Sequence, residues 1–461
     1  MKHMSLKEIT AACHGSYYGD ESLLAKEVQG VVIDSRQVEA DYLFIPIRGM
    51  RVDGHKFIPQ VMENGALCTL SEEVLPDAAY PYIVVESCTQ ALKDLAEHYR
   101  SHLDIKVVGI TGSVGKTSTK EMIASVLEQK YQVLKTDGNF NNEIGLPLTI
   151  FRIREHHEVA VLEMGINHFG EMSRLAKIAK PDICVITNIG FCHLEFLIDR
   201  AGVLKAKTEV FDYLTDNASV ILNGDDDMLA TIENVQGKKP YFFGLNKAVD
   251  LYADDIRGLG LAGTSCIIHN GKESFEAAIS IPGNHMVYNA LAGAAVGYAL
   301  GLTSEEIKNG IEALVPVSGR NNLIQTENFT IIDDCYNANP VSMKASLEVL
   351  ADAEGRKVAI LGDMGELGKD ENQLHFEVGV HAAELNIDTI CCVGPHAKYI
   401  ADGARSIEEG YSRILHFPTM EEMLASLDTI VMKNDTILVK SSHMMGFSVV
   451  VEYLKMYHPK Y

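Results

Sequence analysis

Ile105-Lys106-Val107-Val108-Gly109-Ile110-Thr111-Gly112-Ser113-Val114-Gly115-Lys116-Thr117-Ser118 is the stretch on which the fold turns. A continuous apolar run leads into a glycine loop. The segment Lys116–Gln129 then places Met122, Ile123, Val126 and Leu127 on one side, which is a helical spacing. Strand, glycine loop and helix in that order make a phosphate cradle: glycines let backbone N–H groups curl around phosphate oxygens, and the helix N-terminus adds its dipole. Gly112, Ser113, Val114, Gly115, Lys116, Thr117 and Ser118 are the expected nucleotide contacts. Lys116 is placed to meet the β- and γ-phosphates and Thr117 to ligate Mg²⁺. The usual GxxxxGK[ST] pattern would need glycine at 110, where isoleucine stands, so the loop is a shorter variant. A nucleoside triphosphate, ATP or GTP, is the implied ligand.

Outward from this loop, apolar strands recur at Val159–Leu162, Ile183–Thr187 and Val220–Leu222, alternating with helices, the pattern of a mostly parallel sheet. The first hundred residues differ in texture, with a short helix near Leu6–Cys13 and brief strands at Val31–Asp34, Tyr42–Ile45 and Tyr82–Val85. After the segment Leu314-Val315-Pro316-Val317-Ser318-Gly319-Arg320, strand–helix alternation restarts at Thr330–Ile332 and continues to Thr436–Val439. The expectation is an α/β chain of three domains, 1–100, 101–315 and 316–461.

The 461 residues carry 40 Lys+Arg against 63 Asp+Glu, a formal charge of −23. Such a surface repels nucleic acid and anionic membrane, so an anionic substrate needs a local cationic pocket. Nine scattered cysteines without a CxxC pair suit a reducing cytosol rather than a disulfide framework. No apolar leader opens the chain, and the uncharged stretch Met286–Ser304, broken by Asn289 and glycines, reads as a buried helix rather than a membrane span. A cytoplasmic monomer is expected.

Two further features bear on chemistry. Val159-Ala160-Val161-Leu162 ends in Glu163, a carboxylate at the tip of a strand beside the phosphate loop, suited to hold Mg²⁺. Ala201–Thr215 reads as a helix with Val203, Val210, Phe211 and Leu214 on its apolar stripe and Lys205, Glu209 and Asp212 opposite. Lys207 falls within the stripe, where a lysine must snorkel, pair with an acid, or lose its charge. An uncharged buried amine can take up CO₂ as a carbamate and become an anionic metal ligand. His193, after the Ile183–Thr187 strand, is a possible imidazole ligand nearby, although a lone histidine is more often structural.

Taken together, Thr111-Gly112-Ser113-Val114-Gly115-Lys116-Thr117, Glu163-Met164-Gly165, His193-Leu194-Glu195 and Leu204-Lys205-Ala206-Lys207 resemble the Mur ligase family, the ATP-dependent amide-forming enzymes of peptidoglycan precursor synthesis. Further similar motifs are Asp34-Ser35-Arg36, Asp137-Gly138-Asn139-Phe140-Asn141-Asn142, Gly283-Asn284-His285, Gly319-Arg320, Asp334 with Tyr336-Asn337-Ala338-Asn339-Pro340, and Gly362-Asp363-Met364-Gly365-Glu366.

The resemblance implies an N-terminal mixed α/β domain for the UDP-sugar, a central P-loop ATPase and a C-terminal Rossmann-like domain. It implies ATP and Mg²⁺ as cofactors, and UDP-N-acetylmuramoyl-tripeptide and D-alanyl-D-alanine as substrates joined through an acyl phosphate. Lys116, Glu163, His193 and Lys207 become the catalytic set; Thr117, Glu163, His193 and carbamylated Lys207 the metal ligands. Asn289 is expected at the adenine, and Arg320 and Asp334 at phosphates and ribose. Ser35, Arg36, Asn139 and Asn142 are expected at the UDP-sugar substrate and Asn337 and Asn339 at the dipeptide. Lys116, Arg320 and Arg36 would form the cationic pocket, although a surface ion pair is the commoner fate of such arginines, and an Asn-Pro step such as Asn339-Pro340 favours turns anyway. Another amide ligase of folylpolyglutamate-synthase type and a non-catalytic nucleotide-binding subunit are the rival readings. The sequence departs from the family pattern twice. Phe196-Leu197-Ile198-Asp199-Arg200 stands where a Gly-Ser pair is expected, and Lys440-Ser441-Ser442-His443 where Gly-Ser-Arg is common.

Overall fold

The structure is a computed structural model that describes residues 1–49, 51–408 and 412–459. Among these residues the chain builds three sheets in succession, of five, nine and six strands.

The first sheet runs Ser16–Tyr18, Tyr82–Val84, Cys68–Ser71, Leu43–Phe44, Val31–Val32, with parallel pairing except at the Ser16–Tyr18 edge. The Val31–Asp34 expectation is shortened here, because Asp34 accepts from the N–H of Arg36 and starts a 3-10 turn. The Cys88–Ser101 helix buries Leu92, Leu95 and Tyr99 and is stapled to the next unit at its end. Arg100, 8% exposed, donates to the carbonyls of Ala179 and Lys180, and Tyr99 Oη donates to the Ile153 carbonyl. One continuous apolar core therefore joins Leu6, Leu43 and Leu92 to Leu146, Leu162 and Leu175 across the first and second units.

In the central sheet, Lys106–Thr111 is flanked by Val159–Glu163 and Ile183–Ile186, and all pairing is parallel from the Val133–Lys135 edge to Leu251–Gly258. Thr264–His269 and Ser274–Ile279 then continue antiparallel, a hairpin absent from the sequence reading. Its middle strand alternates buried and half-buried residues, the signature of a two-faced antiparallel strand rather than of an apolar parallel one. The turn between Leu251–Gly258 and Thr264–His269 carries Leu261 into contact with the core of the third unit. The His285–Ala299 helix is buried on most of its surface. A Cβ on Gly293 or Gly297 would meet Met122 or Val126 at about 3.0 Å, so this helix lies closely on the Lys116–Leu127 helix. No helix among the described residues is long and apolar enough to cross a membrane.

The helix expected at Ala201–Thr215 runs Arg200–Thr208 and tightens to a 3-10 turn over Glu209–Tyr213. The change follows from Glu209, whose carboxylate turns back to accept from the N–H groups of Gly170 and Ser173.

The third sheet orders Asn322–Gln325, Thr330–Asp333, Thr436–Lys440, Lys357–Gly362, Thr389–Val393, Arg413–Phe417, parallel after its first pair. Helices cover both faces over separate cores, the doubly wound Rossmann-like arrangement expected. All nine cysteines are free and buried, Cys391 and Cys392 among them on the Thr389–Val393 strand.

Candidate functional site

A cleft of about 1100 Å³ opens between the central and C-terminal units at the C-terminal ends of their strands, where open α/β sheets place ligands. Ser113, Val114, Gly115, Lys116, Thr117 and Ser118 line it. The loop keeps its shape through Asn188: the Ser113 N–H donates to the Asn188 carbonyl at 3.0 Å and the Val114 N–H to Asn188 Oδ1 at 2.9 Å. Thr187 Oγ1 holds the Val114 carbonyl at 2.7 Å. Gly112 sits at φ 153°, where a Cβ would lie 1.9 Å from Thr187 Oγ1, so only glycine fits. Lys116, Thr117 and Ser118 begin the helix, and their N–H groups have no intrahelical acceptor. Those donors and the dipole form the anion site. Lys116 Nζ lies 2.9 Å from the Gly112 carbonyl and, like Arg320, makes no ion pair among the described residues.

Glu163 ends its strand at 2% exposure. Asn141 Nδ2 donates to its Oε1 at 2.8 Å, while Oε2 is buried without a partner. A buried carboxylate oxygen left unpaired is costly, and a hard cation is the partner that suits it. Thr117 lies in the same cleft, so the donor set fits Mg²⁺, although no cluster of three or more His, Cys, Asp or Glu side chains occurs among the described residues.

His193 lines the cleft in left-handed backbone, φ 52°. Its Nδ1 pairs with Glu366 of the C-terminal unit, which holds the Glu366 carboxyl below its ordinary range. Lys207 is 1% exposed and makes no hydrogen bond or ion pair among the described residues. Neither snorkelling nor pairing with an acid is realised. Burial, partly offset by Cys192 and reinforced by the charge of Lys116, lowers its pKa to about 8. Its side chain is near enough to the cleft residues Cys192 and Lys116 to feel their charge.

The C-terminal unit supplies the opposite wall. Arg320 Nη2 donates to Thr117 Oγ1 at 3.2 Å, and the guanidinium stacks 4.1 Å from the Tyr336 ring centroid. Asp334 is engaged on both oxygens: Oδ2 accepts from Lys440 Nζ and Ser346 Oγ, each at 2.5 Å, and Oδ1 from the Asn321 N–H at 3.1 Å. Asn337 Oδ1 accepts from the Ala338 N–H, and its carbonyl accepts from Lys440. Asn339 caps the Pro340–Ala351 helix through the N–H of Ser342. His443 takes the expected arginine position and lies tilted against the Tyr336 ring, with centroids 5.2 Å apart.

Thus the cleft gathers Asn139, Asn142, Asn289, Arg320, Asp334, Asn337 and Asn339 with the phosphate loop, Glu163 and His193. Asn289 Oδ1 is already taken by Thr119 Oγ1 and its Nδ2 faces Met286 Sδ. Asn142 caps the Gly145–Ile150 helix through the N–H groups of Ile144 and Gly145. Ser35 and Arg36 stand apart from the cleft. Arg36 is exposed and bound in a fork to Asp34, at 2.9 and 2.7 Å. It adds no charge to the cleft, whose cationic character rests on Lys116 and Arg320. Asn141, Asn188, Asn321, Glu366 and Lys440 were missed as site residues. Asn141 and Glu366 lay inside quoted motifs. Lys440 stands in the segment where Gly-Ser-Arg is common, and otherwise reads only as a cation ending an apolar strand.

The segment after His193 explains one departure from the family pattern. Ile198 has φ 75° and ψ −61°, and the Asp199 N–H donates to the Leu197 carbonyl at 2.9 Å, a γ-turn centred on isoleucine. Asp199 then caps the Lys207 helix through the N–H of Gly202. These are the tasks a Gly-Ser pair performs without strain; aspartate replaces serine fully, whereas isoleucine meets the positive φ at a cost. Ile198 is 77% exposed, so Ile198→Gly forfeits little packing. It is expected to raise stability by about 1 kcal/mol, read as a shift in the chemical denaturation midpoint; an unchanged or lowered midpoint refutes the strain.

Comparison with known proteins comes to the same place. Residues 27–100 match the model of the Mur ligase family, catalytic domain; residues 110–297 the Mur ligase middle domain; residues 319–443 the Mur ligase, glutamate ligase domain. The chain is 37% identical over 430 residues to UDP-N-acetylmuramoyl-tripeptide–D-alanyl-D-alanine ligase of Bacillus subtilis (strain 168), covering 92% of this chain and 93% of that one. A crystal structure of MurF from Acinetobacter baumannii superposes with a TM-score of 0.90 at 32% identity, over 98% of this chain and 99% of that one. MurF ligase from Thermotoga maritima in complex with ADP gives 0.81 at 31% identity, over 93% and 97%.

Proposed function

The chain belongs to the Mur ligase family, and from that premise we propose that its cleft joins D-alanyl-D-alanine to UDP-N-acetylmuramoyl-tripeptide at the expense of ATP. The enzyme is an ATP-dependent ligase of peptidoglycan synthesis. The observation that carries the site assignment is the meeting of the P-loop helix N-terminus, the half-unpaired Glu163 and Arg320 in one cleft. The units are taken as 1–100 for the UDP-sugar, 101–315 for ATP and 316–461 for the closing domain. Free, buried cysteines support a reducing, cytoplasmic setting.

The reaction begins when a terminal carboxylate oxygen of the tripeptide attacks the γ-phosphorus. The bond from phosphorus to the β,γ-bridging oxygen breaks and ADP leaves. The dipeptide amine then attacks the acyl-phosphate carbonyl, loses a proton, and phosphate departs as the amide forms. Both reacting groups of the first step are anionic, so the protein's work is positioning and charge neutralisation. Lys116 and the N–H groups of residues 116–118 hold the β- and γ-phosphates. Arg320 brings a second cation from the C-terminal unit, and Asp334 and Asn289 meet the nucleoside. Asn139, Asn142, Ser35 and Arg36 hold the UDP-sugar substrate, and Asn337 and Asn339 the dipeptide. Thr117 and Glu163 would hold one Mg²⁺, and Glu163, His193 and carbamylated Lys207 a second. Bound there, Mg²⁺ supplies Lewis-acid neutralisation of the phosphoryl and acyl oxygens. Lys207 supplies its carbamate when the uncharged Nζ lone pair bonds to the carbon of CO₂, one C–O π pair moves to oxygen and a proton leaves nitrogen.

Phosphate release from ATP is expected to require both substrates together, with a pentapeptide product by mass. Release stimulated by neither, with ATP still bound, turns the reading to a non-catalytic nucleotide-binding subunit.

A further inference from the structure

At the seam where the central and C-terminal units face each other lies a polar side chain that the mechanism above leaves idle. Asn321 follows Arg320 in left-handed backbone, φ 47°, is 7% exposed, and lines the cleft. Its N–H donates to Asp334 Oδ1, and its Nδ2 donates to His285 Nε2 at 3.2 Å. Its Oδ1 is buried and has no partner among the described residues.

The orientation of this amide follows from its neighbour. His285 is half-buried on the cleft wall, desolvation lowers its pKa, and a neutral ring with its proton on Nδ1 accepts at Nε2. In that arrangement Nδ2 faces the ring and the oxygen is turned from it. An amide oxygen out of reach of both water and protein donors is costly, and an apolar side chain of similar size would fill the place without that cost. An acceptor kept in such a position is made good by a donor that arrives with the ligand.

The surroundings narrow what that ligand part is. Phosphates carry only acceptors and have their own donors at the loop, so the phosphate chain cannot satisfy the amide oxygen. A nucleoside can, since it bears hydroxyl and amino hydrogens. The same residue's N–H also orients Asp334, the carboxylate assigned to the nucleoside side of the cleft. We propose that Asn321 Oδ1 accepts a hydrogen bond from the nucleoside of the bound ATP, from a ribose hydroxyl or from the exocyclic amine of the base. Asn321 is thereby a nucleotide-specificity residue bridging the central unit, through His285, and the C-terminal unit, through Asp334. The inference rests on the reading of this cleft as the ATP site.

The test measures equilibrium binding of ATP, 2′-deoxy-ATP, 3′-deoxy-ATP and purine riboside triphosphate, which lacks the amine, to the full-length wild type and to Asn321→Leu. The wild type is expected to bind one of the three analogues about tenfold more weakly than ATP. Asn321→Leu is expected to lose a similar factor for ATP and to bind ATP and that analogue equally. The analogue singled out identifies hydroxyl or amine as the donor. Equal binding of all four nucleotides by the wild type overturns the proposal, and so does undiminished discrimination in the variant. Asn321→Ser serves in the same comparison if the leucine variant does not fold, and the wild-type panel can overturn the idea without any variant. Failure of ATP itself to bind the wild type overturns the reading of the cleft, an outcome distinct from binding without discrimination.

Discussion

Lys207→Ala is expected to lower the rate of amide formation by about a thousandfold while ATP binds within a few fold of the wild-type affinity. The argument is one of charge. Lys207 is fully buried, has no acid partner, and lies near enough to Lys116 for the two cations to oppose each other. As an ammonium it destabilises the site it adjoins; as the proposed carbamate it would reverse sign and serve with His193 and Glu163 as a metal ligand. A pKa of about 8 leaves a share of the amine uncharged near neutral pH, the form that combines with CO₂. Short carboxylic acids are expected to restore part of the activity to the alanine variant. Near-normal turnover without any additive would refute the carbamate.

The same residue gives a stability effect of opposite sense. The unfolded lysine keeps its proton to about pH 10.5 and the folded one releases it near 8, so the unfolded chain binds the extra proton between those values. Stability rises with pH across that window, and the full penalty, about 3 kcal/mol, is present below pH 8. In CO₂-free buffer at pH 7, Lys207→Met is expected to be more stable than the wild type, with the advantage fading toward pH 10.5. Denaturation midpoints that do not converge as pH rises would contradict this.

Arg320→Ala carries the second large effect, a fall in kcat of about a thousandfold with a smaller change in the KM for ATP. Arg320 reaches Thr117 Oγ1 from the opposite unit and lies flat on Tyr336. It makes no ion pair among the described residues, whereas Lys440 is committed to Asp334. A cation delivered from the opposite wall of the cleft onto the phosphate loop is placed to act on the charge that develops during phosphoryl transfer. Arg320→Lys keeps the charge but loses the planar stack and the fork, and intermediate activity is expected. Steady-state kinetics decide the matter: a raised KM with kcat intact would make Arg320 a ground-state binding residue only.

The P-loop and its strand were legible because glycine, lysine and strand–helix flanks are local signals, and Glu163 followed from its place at a strand tip. The place of Lys207 on the apolar stripe followed from helical spacing, since a shift of half a turn would have put it in solvent; that it neither snorkels nor pairs is what the structure adds. What escaped the sequence was long-range pairing. Glu366 meets His193 across 173 positions, and Lys440 neutralises Asp334 across 106. Neither has a periodicity to betray it. Arg36 illustrates the reverse: the cation expected in the phosphate cleft stands apart from it and pairs with Asp34 two residues away, a placement no local pattern foretells. The Thr264–His269 hairpin was lost because neither it nor its neighbours Leu251–Gly258 and Ser274–Ile279 form the long apolar runs that mark the parallel strands.

The apolar core shared by the first two units, with Arg100 anchored on the carbonyls of residues 179 and 180, makes those units a single caliper jaw. The third unit, with cores of its own, is the other jaw. A substrate whose uridine end is seated on the fixed jaw must carry its carboxylate across a set span to reach Lys116. If the uridine end is seated as proposed, the enzyme is expected to gauge the length of the peptide as well as its chemistry, turning over stems one residue shorter or longer more slowly than the tripeptide.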